Sequence, residues 1–178
     1  MQGRRVQVII RESGIGDIAA LAELARRTFS EAFGRSFSPS DLAFHLQNNL
    51  SDAYFRAAAD VDVFLIAEID ARLAGYAQFG AIEIPARGAS PGDQELRRLY
   101  VEPAFQGSGI GRRLLDAALA HPRLTGAPNV FLDVWDENGG ARRLYERYGF
   151  AVVGAHTFAV ASGAASTRDL IMVRRQRP

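Results

Sequence analysis

The stretch Glu-Leu-Arg-Arg-Leu-Tyr-Val-Glu-Pro-Ala-Phe-Gln-Gly-Ser-Gly-Ile-Gly-Arg, residues 95–112, carries the most informative pattern of this sequence. It begins as an apolar strand, passes through Pro103 and enters a turn with glycine at positions 107, 109 and 111. An amphipathic helix is predicted to follow, because apolar residues then recur at the spacing of one helical face. These apolar positions are Ile110, Leu114, Leu115, Ala118 and Leu119.

The glycine-rich turn is suited to binding an anion. Glycine leaves no side chain where the turn meets the helix, so several backbone N–H groups can point at one ligand. The positive end of the helix dipole lies behind the same groups. The sequence therefore predicts a cradle for a pyrophosphate.

Two common nucleotide-binding motifs do not fit this turn. A Walker A loop needs a Gly-Lys-Ser/Thr ending, but all 21 basic residues counted as Lys+Arg are arginine. A dinucleotide-binding turn needs Gly-x-Gly-x-x-Gly. Counted from Gly107, its third small position is Arg112, and counted from Gly109 it is Leu114. Both motifs are excluded.

A second block, Val130 to Phe150, is predicted to run as strand, turn and helix. It contains Asn138-x-x-Ala141-x-x-Leu144-Tyr145-x-x-x-Gly149-Phe150. Together with Leu99-x-Val101 and Gln106-x-x-Gly109-x-Gly111, this block resembles the coenzyme A site of the GNAT-type N-acetyltransferases. The two blocks stand in the family's order and cover residues 95–150. A weaker N-terminal pattern extends the resemblance over almost the whole chain.

The resemblance implies an α/β fold in a single GNAT-like domain over residues 1–178. Its sheet should be mixed, mostly antiparallel, with about seven strands, a splayed parallel pair at the centre and flanking helices. Residues 95–120 and 129–150 would bind coenzyme A, while 28–60 and 161–173 would face the acceptor. Local patterns predict a first strand at 5–10, a helix at 15–33, a helix capped by Ser38, a hairpin around Asp70-Ala71 and closing strands at about 151–160 and 168–174.

Composition agrees with a cytoplasmic enzyme of one domain. Apolar content is 48%, charged content 23% and net charge +1, which disfavours nucleic acid and anionic membrane as partners. We expect most arginine pairs to lie on solvated faces, with Arg112-Arg113 beside the phosphate turn as the exception. No apolar run of membrane-spanning length occurs. The absence of cysteine and the scattered positions of His45, His121 and His156 predict no metal site.

Acetyl transfer to an amine requires removal of a proton from nitrogen and stabilisation of the thioester oxygen. Without cysteine, direct attack in a ternary complex with acetyl-CoA is favoured over a thioester intermediate on the enzyme. The resemblance implies that backbone groups at 99–101 hold the pantetheine arm and that a strand bulge there opens the groove. The implied coenzyme A residues are Leu99, Tyr100, Val101, Gln106, Gly107, Ser108, Gly109, Ile110, Gly111, Arg112 and Asn138.

Two further residues match catalytic positions of the family. Tyr145 would donate to the departing sulfur, although core packing explains a tyrosine at this spacing as well. Glu95 would act as a base through water, and an exposed glutamate at a strand end is an equal alternative. Asn138 would either cap its helix, reach the pantetheine arm, or do both.

The acceptor is specified by other segments. Thr28-Phe29-Ser30-Glu31-x-Phe33 and Asp169-Leu170-Ile171-Met172 resemble the PaiA-type polyamine acetyltransferases of bacteria. Phe29 and Glu31 of the first segment are predicted to bind a small-molecule amine, with a polyamine such as spermidine as a candidate. Glu83, at the end of the strand before residue 85, is a further acid predicted to bind the amine. Core packing is the alternative for Phe29.

Other functions stay open at this point. The acceptor could be a protein N-terminus or another small amine. The chain could also be a catalytically silent, coenzyme A-binding regulatory module, which the intact Tyr145 disfavours. A homodimer is compatible with all of these.

Overall fold

The computed structural model of the chain describes residues 7–159 and 165–176. Its centre is a seven-stranded sheet in the order β1-β2-β3-β4-β5-β7-β6. The strands are β1 Val8–Glu12, β2 Val63–Ile69, β3 Arg72–Ala81, β4 Gln94–Val101, β5 Asn129–Trp135, β6 Ala151–Ala159 and β7 Ala165–Arg175. All neighbours pair antiparallel except β4 and β5, which are parallel. The predicted mixed sheet with a central parallel pair is confirmed.

Six helices connect or cover these strands within the described residues. They are α1 Ile18–Phe33, α2 Pro39–Asn49, α3 Asp52–Ala58, α4 Ile110–Ala120, α5 Pro122–Thr125 and α6 Gly139–Arg147. The predicted cap of α2 is confirmed, since the Ser38 hydroxyl accepts from the Asp41 N–H at 3.1 Å. It also donates to the Asp41 carboxylate at 2.7 Å, so one side chain secures the first turn from both directions.

The β2–β3 hairpin turns at Asp70-Ala71, as predicted. Both residues have positive φ, 47° and 61°, which matches the twist of a two-residue hairpin turn. Gly149, predicted as a left-handed helix stop, has φ 84° directly after α6.

Several predicted boundaries differ from the structure. Strand β1 begins at Val8 and ends at Glu12, while residues 5 and 6 lie outside the described ranges. The segment Ile15–Asp17 is a 3-10 turn, closed by the bond from the Asp17 N–H to the Gly14 carbonyl at 3.0 Å, and the Asp17 carboxylate accepts from the Gly14 N–H at 2.7 Å. Strand β3 ends three residues before the predicted position 84. The predicted β6–β7 turn at 161–167 lies largely outside the described residues.

The sheet separates two apolar cores. On one face α4 packs with Leu114 and Leu115 fully buried, and Tyr145 of α6 joins this core. On the other face α1 and α3 pack around Phe55 and Tyr76. The described residues include no helix that is both long and apolar enough to cross a lipid bilayer.

Candidate active site

Strands β4 and β5 separate soon after they meet. They pair only at Gln94 with Val130 and at Glu95 with Phe131. At this point the register of β4 against β3 shifts, so that Arg97 is an extra residue in β4. The bulge therefore lies at Arg97, two residues before the segment 99–101 for which it was predicted. Beyond it a groove of about 120 Å³ opens between the strands.

Four residues predicted to contact the pantetheine arm or the departing sulfur line this groove. Leu99 and Tyr100 line it from β4, and Asn138 and Tyr145 line it from the opposite side. Asn138 also caps α6 by accepting from the Ala141 N–H at 3.0 Å. Both predicted roles of Asn138 are therefore compatible with its position.

The glycine-rich turn ends at the start of α4. Gly107 and Gly109 have φ of 76° and 87°, conformations that favour glycine. Gly109 is the N-cap residue and offers no side-chain acceptor, and the first helical bond runs from the Arg113 N–H to the Gly109 carbonyl at 3.0 Å. The N–H groups of the first turn of α4 therefore lack intrahelical partners and can bind an anion.

The other residues of this turn support the loop in different ways. The Gln106 amide donates to the Val101 carbonyl at 3.1 Å, which ties the turn to the end of β4. The Ser108 hydroxyl donates to the Phe105 carbonyl at 2.5 Å. The Ile110 side chain is buried, so its contribution to a ligand would come from its backbone. Arg112 is 74% exposed, and its Nε lies 3.9 Å from the Asp116 carboxylate.

Tyr145 is buried on α6 and faces the groove. Burial raises its pKa well above the ordinary value, with smaller contributions from Tyr100 and Asp133. The phenol therefore stays protonated at neutral pH and can serve as a hydrogen-bond donor.

A second, larger cavity of about 430 Å³ lies on the face of the sheet that α1 and α3 cover. Phe29 and Phe33 of α1 form part of its apolar wall. Phe29 stacks on His45 of α2, with 4.2 Å between ring centroids. Burial and the charge of Arg98 lower the pKa of His45 to about 4, so this ring is neutral at physiological pH.

Glu95 lies inside this larger cavity with only 4% of its surface exposed. The alternative of an exposed glutamate at a strand end is therefore wrong. Its Oε2 accepts from the N–H groups of Glu83 and Ile84 at 2.7 and 3.0 Å. These bonds replace strand pairing after β3, which explains why β3 ends early. Burial, the largest cause, raises the pKa of Glu95.

The two other predicted acceptor-side acids differ in position. Glu83 lines the cavity with a side chain that is 74% exposed, and it pairs with Arg97 at 2.8 Å. Glu31 is exposed on α1 and lines neither of these two cavities of the described chain.

The expectation that arginine pairs lie on solvated faces is wrong for Arg97-Arg98. The β4 bulge brings both side chains into the cavity. Arg97 is 9% exposed and contacts Asp62 at 3.0 Å. Arg98 donates to the Tyr54 hydroxyl at 2.6 Å and to the Gln78 side-chain carbonyl, and its guanidinium lies over the Tyr54 ring.

Three residues that were not singled out as site residues from the sequence also line this cavity: Asp133 of β5, His156 of β6 and Asp169 of β7, the last within the predicted acceptor-side segment 161–173. The His156 Nε2 lies 3.0 Å from the Asp133 Oδ2. One polar atom from each of the three lies within 4.8 Å of the others, close enough for a single cation to touch all three. The spacing of the histidines gave no sign of this cluster, because two of its members are aspartates and strand pairing brings positions 133, 156 and 169 together.

The groove and the larger cavity meet in the middle of the sheet. Their shared lining residues are Phe33, Arg97, Arg98, Tyr100, Asp133 and Asp169. A ligand in the groove can therefore contact a ligand in the larger cavity.

Comparison with known proteins agrees with this geometry. Residues 18–150 match the model of the Acetyltransferase (GNAT) family. An uncharacterized N-acetyltransferase of Mycobacterium bovis is 34% identical over 160 residues, which span 89% of this chain and 97% of that protein. The spermine/spermidine N(1)-acetyltransferase of Bacillus subtilis is 30% identical over 87 residues, 48% of this chain and 57% of that protein.

Among solved structures, the PaiA N-acetyltransferase of Thermoplasma acidophilum in complex with coenzyme A has the same fold. Its TM-score is 0.75 at 22% identity, over 96% of this chain and 99% of that chain. The chain thus belongs to the Acetyltransferase (GNAT) family and is an N-acetyltransferase.

Proposed function

We propose that this enzyme transfers the acetyl group directly from acetyl-CoA to a primary amine, with both substrates bound at once. The observation that carries the proposal is the junction of the two cavities. Acetyl-CoA in the β4–β5 groove would present its thioester where the groove opens into the larger cavity, and the amine would approach from that cavity. Bringing the two reactants together in this way supplies much of the catalysis.

The binding roles follow from the elements around the groove. The first turn of α4, with Gly107, Ser108, Gly109 and Gly111 before and within it, would bind the pyrophosphate through backbone N–H groups. Arg112, exposed beside it, would add charge. Backbone groups of β4 at 99–101, which lack a β5 partner, would pair with the pantetheine amides.

The proposed catalytic role of Tyr145 is to donate its phenolic proton to the departing sulfur. Its raised pKa keeps the donor protonated, and its position opposite Leu99 and Tyr100 faces the expected path of the pantetheine arm. Glu95 is proposed to relay the proton of the amine to solvent through water, since it is buried in the acceptor cavity.

For the acceptor we propose a cationic amine, with polyamines such as spermidine as the first candidates. The larger cavity is lined by four carboxylates, those of Glu83, Glu95, Asp133 and Asp169. Phe29 would contact the methylene chain between charges. The Bacillus subtilis relative named for spermine and spermidine supports the same class. Glu31 could act only from outside this cavity.

A panel of amines tests the function. Purified enzyme with acetyl-CoA is mixed with spermidine, putrescine, a simple primary amine or a short peptide, and free thiol release is measured. We expect turnover with the polyamines. Acetyl-CoA binding without turnover of any amine would favour the silent regulatory module.

Tyr145→Phe tests the assignment of the acid. We expect kcat to fall on the order of 100-fold, with acetyl-CoA affinity nearly unchanged, because only the proton donor is lost. Tyr148→Phe is the matched control, since the Tyr148 hydroxyl bonds Asp116 at 2.5 Å and lines neither cavity. Equal kcat values for the two variants would contradict the role of Tyr145.

The remaining expectations stay predictions. They are a single domain over the full chain, cytoplasmic localisation, a homodimer as a compatible state, and no nucleic-acid partner. Size-exclusion chromatography with light scattering tests the oligomeric state.

A further inference from the structure

We propose that Asp133, His156 and Asp169 together form the subsite that binds the reacting amine and first accepts its proton. This inference rests on the proposed transfer to an amine, and it assigns the binding and the deprotonation of that amine to these three residues. Asp169 would accept a hydrogen bond from the ammonium group, and His156, oriented by Asp133, would take the proton.

Strand pairing fixes the three side chains relative to one another. His156 of β6 lies directly opposite Asp169 of β7. Asp133 of β5 lies opposite Ile171, two residues along β7 from Asp169, so both aspartates point to the same face of the sheet. A site built on three paired strands is held more rigidly than one built on loops.

Asp169 has an unused acceptor. Its Oδ1 atom is buried and has no hydrogen-bond partner among the described residues. A buried oxygen without a partner is costly, and native proteins pair nearly all such atoms. Burial and the neighbouring Asp133 also raise the pKa of Asp169, so a cation entering the cavity would relieve both penalties. An ammonium group supplies the missing donor together with the missing positive charge.

Charged groups from several elements face this subsite. Asp133 comes from β5, and Arg98 of β4 shares the wall where the two cavities meet. Asp136 contributes negative charge near Asp169, but it also lies 3.7 Å from Arg168, which balances it. Arg97 and Glu95 line the same cavity 3.5 Å apart, and Arg97 also pairs with Glu83. The cavity wall therefore holds four carboxylates and two guanidinium groups, and this excess of negative charge favours a cation.

The hydrogen bond of His156 defines which nitrogen is the base. With its Nε2–H donating to Asp133 Oδ2 at 3.0 Å, the neutral ring keeps an acceptor lone pair on Nδ1. The carboxylate sets this tautomer and stabilises the imidazolium that forms, as in other Asp–His pairs.

The transfer moves two protons from the amine nitrogen and one acetyl group from sulfur. The ammonium group gives one proton to His156 Nδ1, and the nitrogen lone pair then forms the C–N bond to the thioester carbonyl. The C–S bond breaks with a proton from the Tyr145 hydroxyl going to sulfur. The second proton lost by the nitrogen restores Tyr145, and His156 passes its proton through cavity water and Glu95 to solvent. The products are the acetylated amine, free coenzyme A and one released proton.

The test compares variants at saturating acetyl-CoA, with spermidine as acceptor, by thiol release from pH 5 to pH 10. For His156→Gln we expect kcat to fall roughly 100-fold and acetyl-CoA affinity to stay unchanged. The residual rate should rise with pH, since free amine must then come from solution. Asp133→Asn should lower kcat with a similar pH profile. Asp169→Asn should chiefly raise KM for the amine, by 10-fold or more.

Glu12→Gln is the matched control. Glu12 lies 3.2 Å from His121 in a second histidine–carboxylate pair that lines neither cavity, so this variant should behave as wild type. Circular dichroism and acetyl-CoA affinity establish that each variant is folded.

Three outcomes would overturn the inference. The first is a wild-type kcat and pH profile for His156→Gln. The second is that the rise of kcat with pH that reports the base disappears in Glu95→Gln but stays in His156→Gln. The third is activity that a chelator abolishes and a divalent metal restores, which would make the three side chains a metal site. If wild-type enzyme acetylates no amine, the proposed function itself fails, which is a separate result.

Discussion

Replacing Gly109 with alanine should separate the anion-binding role of the turn from its role in stability. Gly109 has φ 87°, and a Cβ placed there meets no atom within 4 Å. Gly88, in the loop after β3, has nearly the same setting, with φ 81° and an equally open Cβ position. Alanine should therefore cost about 1 kcal/mol of folding free energy at either position, because left-handed backbone disfavours any L side chain.

Only the change at position 109 should affect acetyl-CoA. The new methyl group would stand at the start of α4, where the pyrophosphate must approach the N–H groups. Loss of one charge-assisted hydrogen bond, about 1.5 to 3 kcal/mol, corresponds to a rise in Kd of roughly 10- to 100-fold. Calorimetry gives Kd, and urea unfolding gives the stability of each variant.

The comparison is decisive because the two alanines carry the same backbone penalty. If Gly109→Ala and Gly88→Ala lose equal stability and keep wild-type affinity, the turn before α4 does not bind the pyrophosphate. The coenzyme A assignment of residues 106–112 would then have to be abandoned.

Two further predictions concern the acceptor cavity. Glu83→Gln should raise the KM for spermidine several-fold more than the KM for a singly charged amine, because it removes a carboxylate from the cavity wall. Glu31→Gln alters a position outside the cavity and should change the two KM values equally. Steady-state kinetics with both acceptors measures this difference. The pKa of His45 is lowered to about 4 in the folded chain, whereas an unfolded histidine titrates near 6.5. Between these two pH values the unfolded chain binds a proton that the folded chain does not bind. The free energy of unfolding therefore decreases as the pH falls from 6.5 to 4. His45→Phe keeps the stack on Phe29 without titrating, and urea unfolding at pH 7 and 4.5 should show about 1 to 2 kcal/mol less pH dependence than wild type.

Features that depend on neighbouring residues could be predicted from the sequence. The Ser38 cap and the turn at Asp70-Ala71 involve residues at most three positions apart, so their chemistry is visible in a short window. The glycine turn followed from its own residues, and the sheet followed from a resemblance carried by two blocks. The family model covers residues 18–150, which include both blocks.

The acceptor side could not be predicted to the same degree. The contact of Asp133 with His156 spans 23 residues and depends on how β5, β6 and β7 pair. A carboxylate within the apolar strand Val-Phe-Leu-Asp-Val-Trp was a usable signal, because a buried strand rarely carries an acid without a partner. The inward turn of Arg97 and Arg98 depends on a bulge that no local pattern indicates.

The gap between β4 and β5 has a consequence for kinetics. It lies between the core packed against α4 and the core packed against α1 and α3. Under the proposed function, the two substrates would therefore reach the junction from opposite faces of the sheet. Neither one blocks the entrance of the other, and a random order of addition is expected. A single molecule in which coenzyme A is joined to an amine through a short acetyl-like linker would occupy both sides at once. Such a bisubstrate inhibitor would gain affinity from both sites while losing its freedom of motion only once.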